Sequence, residues 1–247
     1  MNNFMKIRKT FIIIRLFSIL LVLLSISSCL FVPAAHKFDT STFLKSQSNK
    51  IDKSTQIILV VDNSLFFFTR TKLYATEKRG GKWQMALEPF NAVIGKNGFA
   101  PEGKKREGDG RTPSGIYPLK MTFGYNETVK TKMPYRQTLA DDIWVDDPQA
   151  DDYNRWVKKP ETRAASYEIM KRDDNFYKYG IIIEYNTNPV IKGNGSAIFL
   201  HIWKAEGMPT AGCVAVSQET ILKILDWLDP AASPLIIMGT IPFLYQR

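Results

Sequence analysis

The sequence predicts a mainly β domain, a sandwich or barrel-like body with a few short helices packed on it. Two observations lead there. Apolar runs are short, rich in β-branched and aromatic residues, and separated by Gly, Pro, Asn and Asp, while clear helical periodicity is confined to one late segment. Hydrophobic residues make up 45% and aromatics 12% of the 247 positions, enough for one sizeable core and without repeats or low-complexity tracts.

Taken in order, the chain opens with a basic region of Lys6, Arg8, Lys9 and Arg15, followed by the apolar run Leu16 to Ile26. That run is shorter than the roughly 20 residues that span a bilayer, so the pair reads as an export signal. It ends in Ile26-Ser27-Ser28-Cys29, which resembles the lipobox of bacterial lipoproteins. The resemblance implies that residues 1–28 are removed and that Cys29 carries lipid, with 29–54 as a polar tether and 55–247 as the folded domain. An ordinary secretory signal cleaved near Ala34, discarding Cys29, is the alternative. Loss of residues 1–28 removes four basic and no acidic side chains and lowers the formal net charge from +9 to +5. That charge suits an anionic envelope polymer or membrane surface, and no interleaving of aromatic and basic residues points to nucleic acid. The expected location is the cell envelope, facing the periplasm, with the anchor in the outer rather than the inner membrane. The sequence sets no oligomeric state.

Strands are expected at Gln56 to Val61, Leu65 to Thr69, Leu73 to Thr76, Trp83 to Leu87, Ala92 to Ile94 and Ile116 to Leu119, then at Gly180 to Tyr185, Ala197 to Ile202, Cys213 to Val216 and Leu235 to Met238. Asp62-Asn63-Ser64 and Arg79-Gly80-Gly81 supply turn residues, so the first third reads as a meander of hairpins. Ser217 can cap a helix in which Ile221, Ile224, Leu225 and Leu228 share a face and which Asp229-Pro230 stops. A second short helix is expected around Ala164 to Lys171.

Chemistry concentrates late in the chain. Only two cysteines and two histidines occur, and Cys29 and His36 both belong to the N-terminal region. The body therefore holds one thiol, Cys213, and one imidazole, His201, twelve positions apart. A strand-end histidine and a cysteine after the loop Glu206 to Gly212 can reach one rim, as proton transfer from a nucleophile requires. Gly212 can turn its peptide so that nearby amides face an oxyanion. One Cys and one His are too few for structural zinc, so no metal or cofactor is expected. The plainer reading, a buried small hydrophobe and a strand-end histidine, is open on these residues alone.

The stretch His201 to Ser217, with its Gly212-Cys213, resembles the catalytic signature of the L,D-transpeptidase (YkuD-like) family. The block from Lys105 through Arg111-Thr112-Pro113-Ser114-Gly115-Ile116-Tyr117 to Leu119 is similar to that family's Thr-Pro-x-Gly-Phe/Tyr segment, and Tyr153-Asn154-Arg155 and Ile198 to Trp203 look like one of its branches. The resemblance runs from about Gln56 to Ile237. By itself Thr112 to Gly115 is a turn, and Glu107 or Asp109 could line the cleft instead.

The resemblance implies a β-sandwich fold and a cysteine-dependent transpeptidase acting on peptidoglycan stem peptides. Cys213 would be the nucleophile, forming a thioester, and His201 the base. The Ile202 carbonyl would orient the imidazole, and amides around Gly212 would hold the oxyanion. Thr210, Trp203 and Arg155 are candidates for substrate contact, with Lys204 as a further cation. Two departures matter: family members often read Ser-His-Gly-Cys-x-Arg, where this chain has Thr210-Ala211-Gly212-Cys213-Val214-Ala215. A carboxypeptidase or amidase that hydrolyses the same peptides is therefore the alternative activity, and a non-catalytic envelope lipoprotein the alternative of another class.

Overall fold

The computed structural model describes residues 38–51, 53–62 and 71–245. The export signal, Cys29, His36 and the strand expected at Leu65 to Thr69 lie outside the described residues.

The domain is mainly β, as expected. Its first hairpins come from β1 (Gln56–Asp62), β2 (Thr71–Arg79) and β3 (Lys82–Met85), antiparallel to one another in sequence order. β1 is buried along almost its whole length, which matches its unbroken apolar run. β4 (Phe90–Asn91) adds to β2, while β5 (Phe99–Ala100) and β6 (Thr112–Pro113) form a separate small parallel pair. β7 (Gly115–Gly124) and β8 (Tyr135–Gln137) lead into an excursion: β9 (Asp142–Val145), β10 (Trp156–Lys158) and β11 (Tyr167–Ile169) make a second sheet in the order β10-β9-β11. The chain then returns through β12 (Tyr179–Ile183), β13 (Phe199–Ile202), β14 (Val214–Val216) and β15 (Leu235–Thr240). The large mixed sheet runs β14-β13-β12-β7-β15-β1-β2-β3.

Among the described residues three short α-helices accompany the sheets: α1 (Thr40–Ser46), α2 (Gln218–Trp227) and α3 (Ile241–Tyr245). The sequence places α2 correctly for its stated reason: the Ser217 hydroxyl accepts from the Thr220 amide at 3.1 Å and caps it. Ile221, Ile224, Leu225 and Leu228 are fully buried and pack with Ile58, Val60 and Ile181 in the main core.

Two expected features differ. Tyr167–Ile169, within the segment expected to be helical, is strand β11: Tyr167 pairs with Val145 and Ile169 with Ile143. The two alanines favour helix only weakly, and backbone pairing with β9 outweighs that preference. Within the expected tether, Thr40–Ser46 is helical, with Phe43 and Leu44 buried and Phe43 edge-on to Tyr245 at 5.9 Å. Two adjacent apolar side chains with a surface to cover suffice to hold this helix on the body.

The two faces of β13 divide the molecule. Leu200 faces the main core, whereas Phe199 joins a second cluster with Phe123, Trp144, Tyr177 and Cys213. Because strand side chains alternate, His201 shares the face of Phe199. The parallel pairing of His201 with Ala215 therefore sets Cys213, two residues earlier and just ahead of β14, on that same face, where it packs with Phe199.

Candidate active site

Cys213 and His201 line one cavity of about 580 Å³. The sulfur sits among aromatic rings: Phe199 meets Trp144, Phe123 and Tyr177 edge-on at 5.0, 5.3 and 5.6 Å. Sγ donates to the Ala197 carbonyl at 3.2 Å and accepts from the Phe199 amide at 3.4 Å. Ala197 has φ 52°, a left-handed conformation unusual for a residue with a Cβ, and its amide is held by Asn154 Oδ1 at 3.1 Å. That strain turns a carbonyl onto the thiol, a concentration of backbone cost of the kind found at functional sites.

The imidazole is fixed from two sides. Nδ1 lies 2.8 Å from the Ile202 carbonyl, and Tyr177 packs edge-on against the ring at 5.1 Å. A carbonyl only accepts, so in the neutral ring Nδ1 bears the proton and Nε2 keeps its lone pair. No hydrogen bond joins His201 to Cys213. Burial lowers the imidazole from its ordinary 6.5 to about 4, against the smaller opposing effect of the Ile202 carbonyl. Burial likewise pushes the thiol from 9.0 up to about 12. At neutral pH the resting pair is thiol and neutral imidazole.

Those shifts fix a pH dependence of stability. Between pH 6.5 and about 4 the unfolded chain protonates His201 and the native one does not. Stability therefore rises with pH across that window, and about 3 kcal/mol present above it is lost on acidification. The thiol acts at the other end: between pH 9 and about 12 the unfolded chain has lost a proton that the native one keeps, so stability falls as pH rises. As pH is lowered from 7 to 4, urea midpoints are expected to fall less for His201→Gln than for wild type. Those from pH 9 to 11 should fall less for Cys213→Ala. Parallel curves would sink these assignments.

The loop before Cys213 is held by hydroxyls. Thr210 Oγ1 donates to the Cys213 carbonyl at 2.6 Å and accepts from the Gly212 amide at 3.1 Å, and Thr112 Oγ1 reaches the same carbonyl at 3.4 Å. Thr210 lines the cavity, but its hydroxyl is spent on backbone, which makes it a positioning residue. The Gly212 amide, expected to face an oxyanion, is committed to Thr210. Nor does Gly212 adopt positive φ; it is needed because a Cβ there would come within 3.0 Å of the Arg111 carbonyl oxygen. The Thr112–Pro113 segment is thus packed directly behind the cysteine loop.

Trp203 and Lys204 line the cavity as well. Arg155 does not. Asn154 turns the chain in a left-handed conformation (φ 58°), and the Arg155 guanidinium donates instead to the Thr187 carbonyl at 3.2 Å. The cations that do line the cavity besides Lys204 are Lys105, which the sequence marks only as the start of the block that carries Thr112-Pro113, and Arg172, which it does not single out. Glu107 is there too, its Oε2 accepting from Tyr153 at 2.5 Å and Ser196 at 2.7 Å, while Asp109 is turned to the Lys105 ammonium at 2.7 Å. Ala215, where an arginine is common in the family signature, is fully buried between His201 on β13 and Val93.

No curated protein matches the chain. A family model does: the L,D-transpeptidase catalytic domain (YkuD) matches residues 53–237, from just before β1 into β15 and across the Cys213 cavity. By that match over most of its length, the chain belongs to the L,D-transpeptidase catalytic domain family.

Proposed function

We propose that this protein is a cysteine-dependent L,D-transpeptidase that acts on peptidoglycan stem peptides through a thioester on Cys213. One observation carries the reading: the Cys213 thiol and the His201 imidazole open into the same cavity, with Nδ1 bound to a carbonyl and Nε2 left to accept a proton.

The chemistry follows from those two groups. As Sγ attacks the amide carbonyl of the donor peptide, its proton passes to Nε2 and the carbonyl oxygen becomes an oxyanion. With the Gly212 amide committed to Thr210, that oxygen must take its hydrogen bonds from other groups around Cys213. Collapse breaks the C–N bond, and the departing amine takes the proton from Nε2. An acceptor amine then attacks the thioester, loses its proton to Nε2, and leaves a new amide and a restored thiol. With water as acceptor the same steps give hydrolysis.

Hydrolysis remains the second reading because Ala211 and Ala215 replace the histidine and arginine common in the family signature. Incubation of the full chain in detergent with tetrapeptide muropeptides, followed by mass analysis, separates the outcomes. A crosslinked dimer identifies a transpeptidase. Loss of the terminal residue without dimer identifies a carboxypeptidase, and unchanged substrate defeats both.

We also propose that the enzyme is exported and held in the cell envelope by lipid on Cys29, which supplies the proximity to polymer that the domain needs. Cys29→Ser is expected to move the protein from the membrane fraction to the soluble envelope fraction; retention of the variant in the membrane would refute the anchor.

A further inference from the structure

Ala197, whose carbonyl accepts from the Cys213 thiol, holds a backbone conformation that its own side chain does not favour. Among the described residues the non-glycine positions with positive φ are Asn154, Asn175, Asn186, Ala197 and Ser233. The asparagines and the serine carry short polar groups that tolerate the left-handed region, whereas Ala197 carries only a methyl. Something outside the residue must therefore hold it there.

Asn154 does so. It is 2% exposed, and both its donors and both acceptor sites of its oxygen are used. Nδ2 donates to the Tyr185 and Asn186 carbonyls at 3.3 and 2.6 Å, and Oδ1 accepts from the Trp144 indole at 2.8 Å and the Ala197 amide at 3.1 Å. The partners set the orientation of the side-chain amide: carbonyls only accept and N–H groups only donate, so a flipped Asn154 would lose all of these bonds. One side chain thus ties together β9, the loop after β12 and the residue that receives the thiol.

The consequence reaches the sulfur. With Ala197 left-handed, its amide faces Asn154 and its carbonyl faces Sγ at 3.2 Å, while the Phe199 amide donates to the same sulfur at 3.4 Å. The thiol proton is committed to one backbone group and one sulfur lone pair to another, which leaves a single lone pair for attack. An Ala197 relaxed to negative φ would turn its carbonyl off the thiol, and the sulfur would keep the Phe199 amide alone. Trp144, the other donor to Oδ1, meets Phe199 edge-on at 5.0 Å, so the same oxygen also steadies a ring beside the sulfur.

We propose that Asn154 is a positioning residue for the nucleophile: by holding Ala197 left-handed, it directs the thiol proton to the Ala197 carbonyl and fixes the sulfur for attack. The part of this that concerns turnover rests on the reading of Cys213 as the nucleophile; the part that concerns the thiol does not. The two parts have opposite signs. A carbonyl that accepts from S–H favours the protonated form, so its loss makes the thiol more acidic and faster with a small alkylating agent. The same loss leaves the sulfur less well aimed at a peptide carbonyl, and a displacement of about an ångström is enough to slow attack.

Asn154→Gly tests both, because glycine keeps the φ of 58° at that position without strain while the side chain is gone. In the full chain carrying Cys29→Ser, which leaves Cys213 as the single thiol, alkylation by iodoacetamide is followed by mass from pH 7 to 10. Asn154→Gly is expected to speed alkylation about tenfold at a given pH and to lower kcat on stem peptides about tenfold, with KM within about twofold. Rescue separates positioning from general support of the fold. Ala197→Gly added to Asn154→Gly supplies a residue that reaches φ 52° without the cost of a Cβ, and both rates are expected to return to within about threefold of the parent chain. General loosening could not be rescued that way, since a second glycine only adds freedom to the unfolded chain. Unchanged alkylation in Asn154→Gly, or unchanged kcat in a chain that turns over, would overturn the proposal. So would a double variant no closer to the parent than Asn154→Gly. Alkylation that rises and is rescued, alongside no product from unsubstituted protein, would defeat the proposed reaction and leave Asn154 as the residue that sets the thiol.

Discussion

Replacement of Cys213 by alanine is expected to abolish product formation from stem peptides, by about four orders of magnitude or more, while the domain stays folded. The loss is chemical: no other thiol is present in the folded body, and without sulfur no thioester forms. The fold survives because the contacts that shape the cysteine loop end on backbone. Thr210 and Thr112 bond the Cys213 carbonyl, which alanine retains, and the Gly212 amide still reaches Thr210. What is lost is one sulfur packed among Phe199, Trp144 and Tyr177 and its weak bonds to Ala197 and Phe199, on the order of 1–2 kcal/mol. Mass analysis of the muropeptides and a urea titration check the two halves. Wild-type rates of product release from Cys213→Ala would remove Cys213 from the reaction. A non-catalytic envelope protein would show no product from either form, so the comparison also excludes that reading if wild type reacts.

Much of this site was legible in the sequence for a simple reason. With one cysteine and one histidine in the body, the pair could be found by counting, and the strand–loop–strand pattern around them needed only local reasoning. The helix after Ser217 was equally local, since its cap and its apolar spacing lie within one short segment. The strands of the large sheet were found from runs of apolar residues, although their order was not, because β15 inserts between β1 and β7 from the far end of the chain.

The rest was hidden because it depends on pairing across distance. Glu168 sits in the segment expected to be helical, and Arg172 just after it; only the register of Glu168 against Trp144 makes that segment a strand at the cavity. Arg155 was a reasonable cation by sequence neighbourhood, yet one left-handed residue before it sends the side chain to Thr187. Thr210 and Gly212 were noticed, but their roles came out differently: the hydroxyl holds a carbonyl, and the glycine makes room for Arg111. Close approach between segments 101 residues apart, as between Thr112 and Cys213, leaves no signal in either segment alone.

His201→Gln is expected to lower kcat/KM about 10³-fold and to change its pH dependence. Glutamine keeps a polar side chain near the Ile202 carbonyl but cannot take the thiol proton. In the wild type the imidazole is neutral down to about pH 4, so the acid limb of kcat/KM should fall near 4 and not near 6.5, where a solvated histidine would place it. The thiol, held to the Ala197 carbonyl and pushed up to about 12, supplies almost no thiolate at neutral pH. Its proton must therefore leave during attack, and His201 is the group whose Nε2 is free to take it. Once that base is removed, hydroxide is the remaining acceptor, so the rate of the variant should climb about tenfold per pH unit on the alkaline side while the wild-type rate stays flat. Convergence of the two rates at high pH would show that glutamine removed the base and left the nucleophile and the cavity intact. A variant that is slow and equally flat with pH would mean that another side chain in the cavity takes the proton, and the role given to His201 would have to be withdrawn.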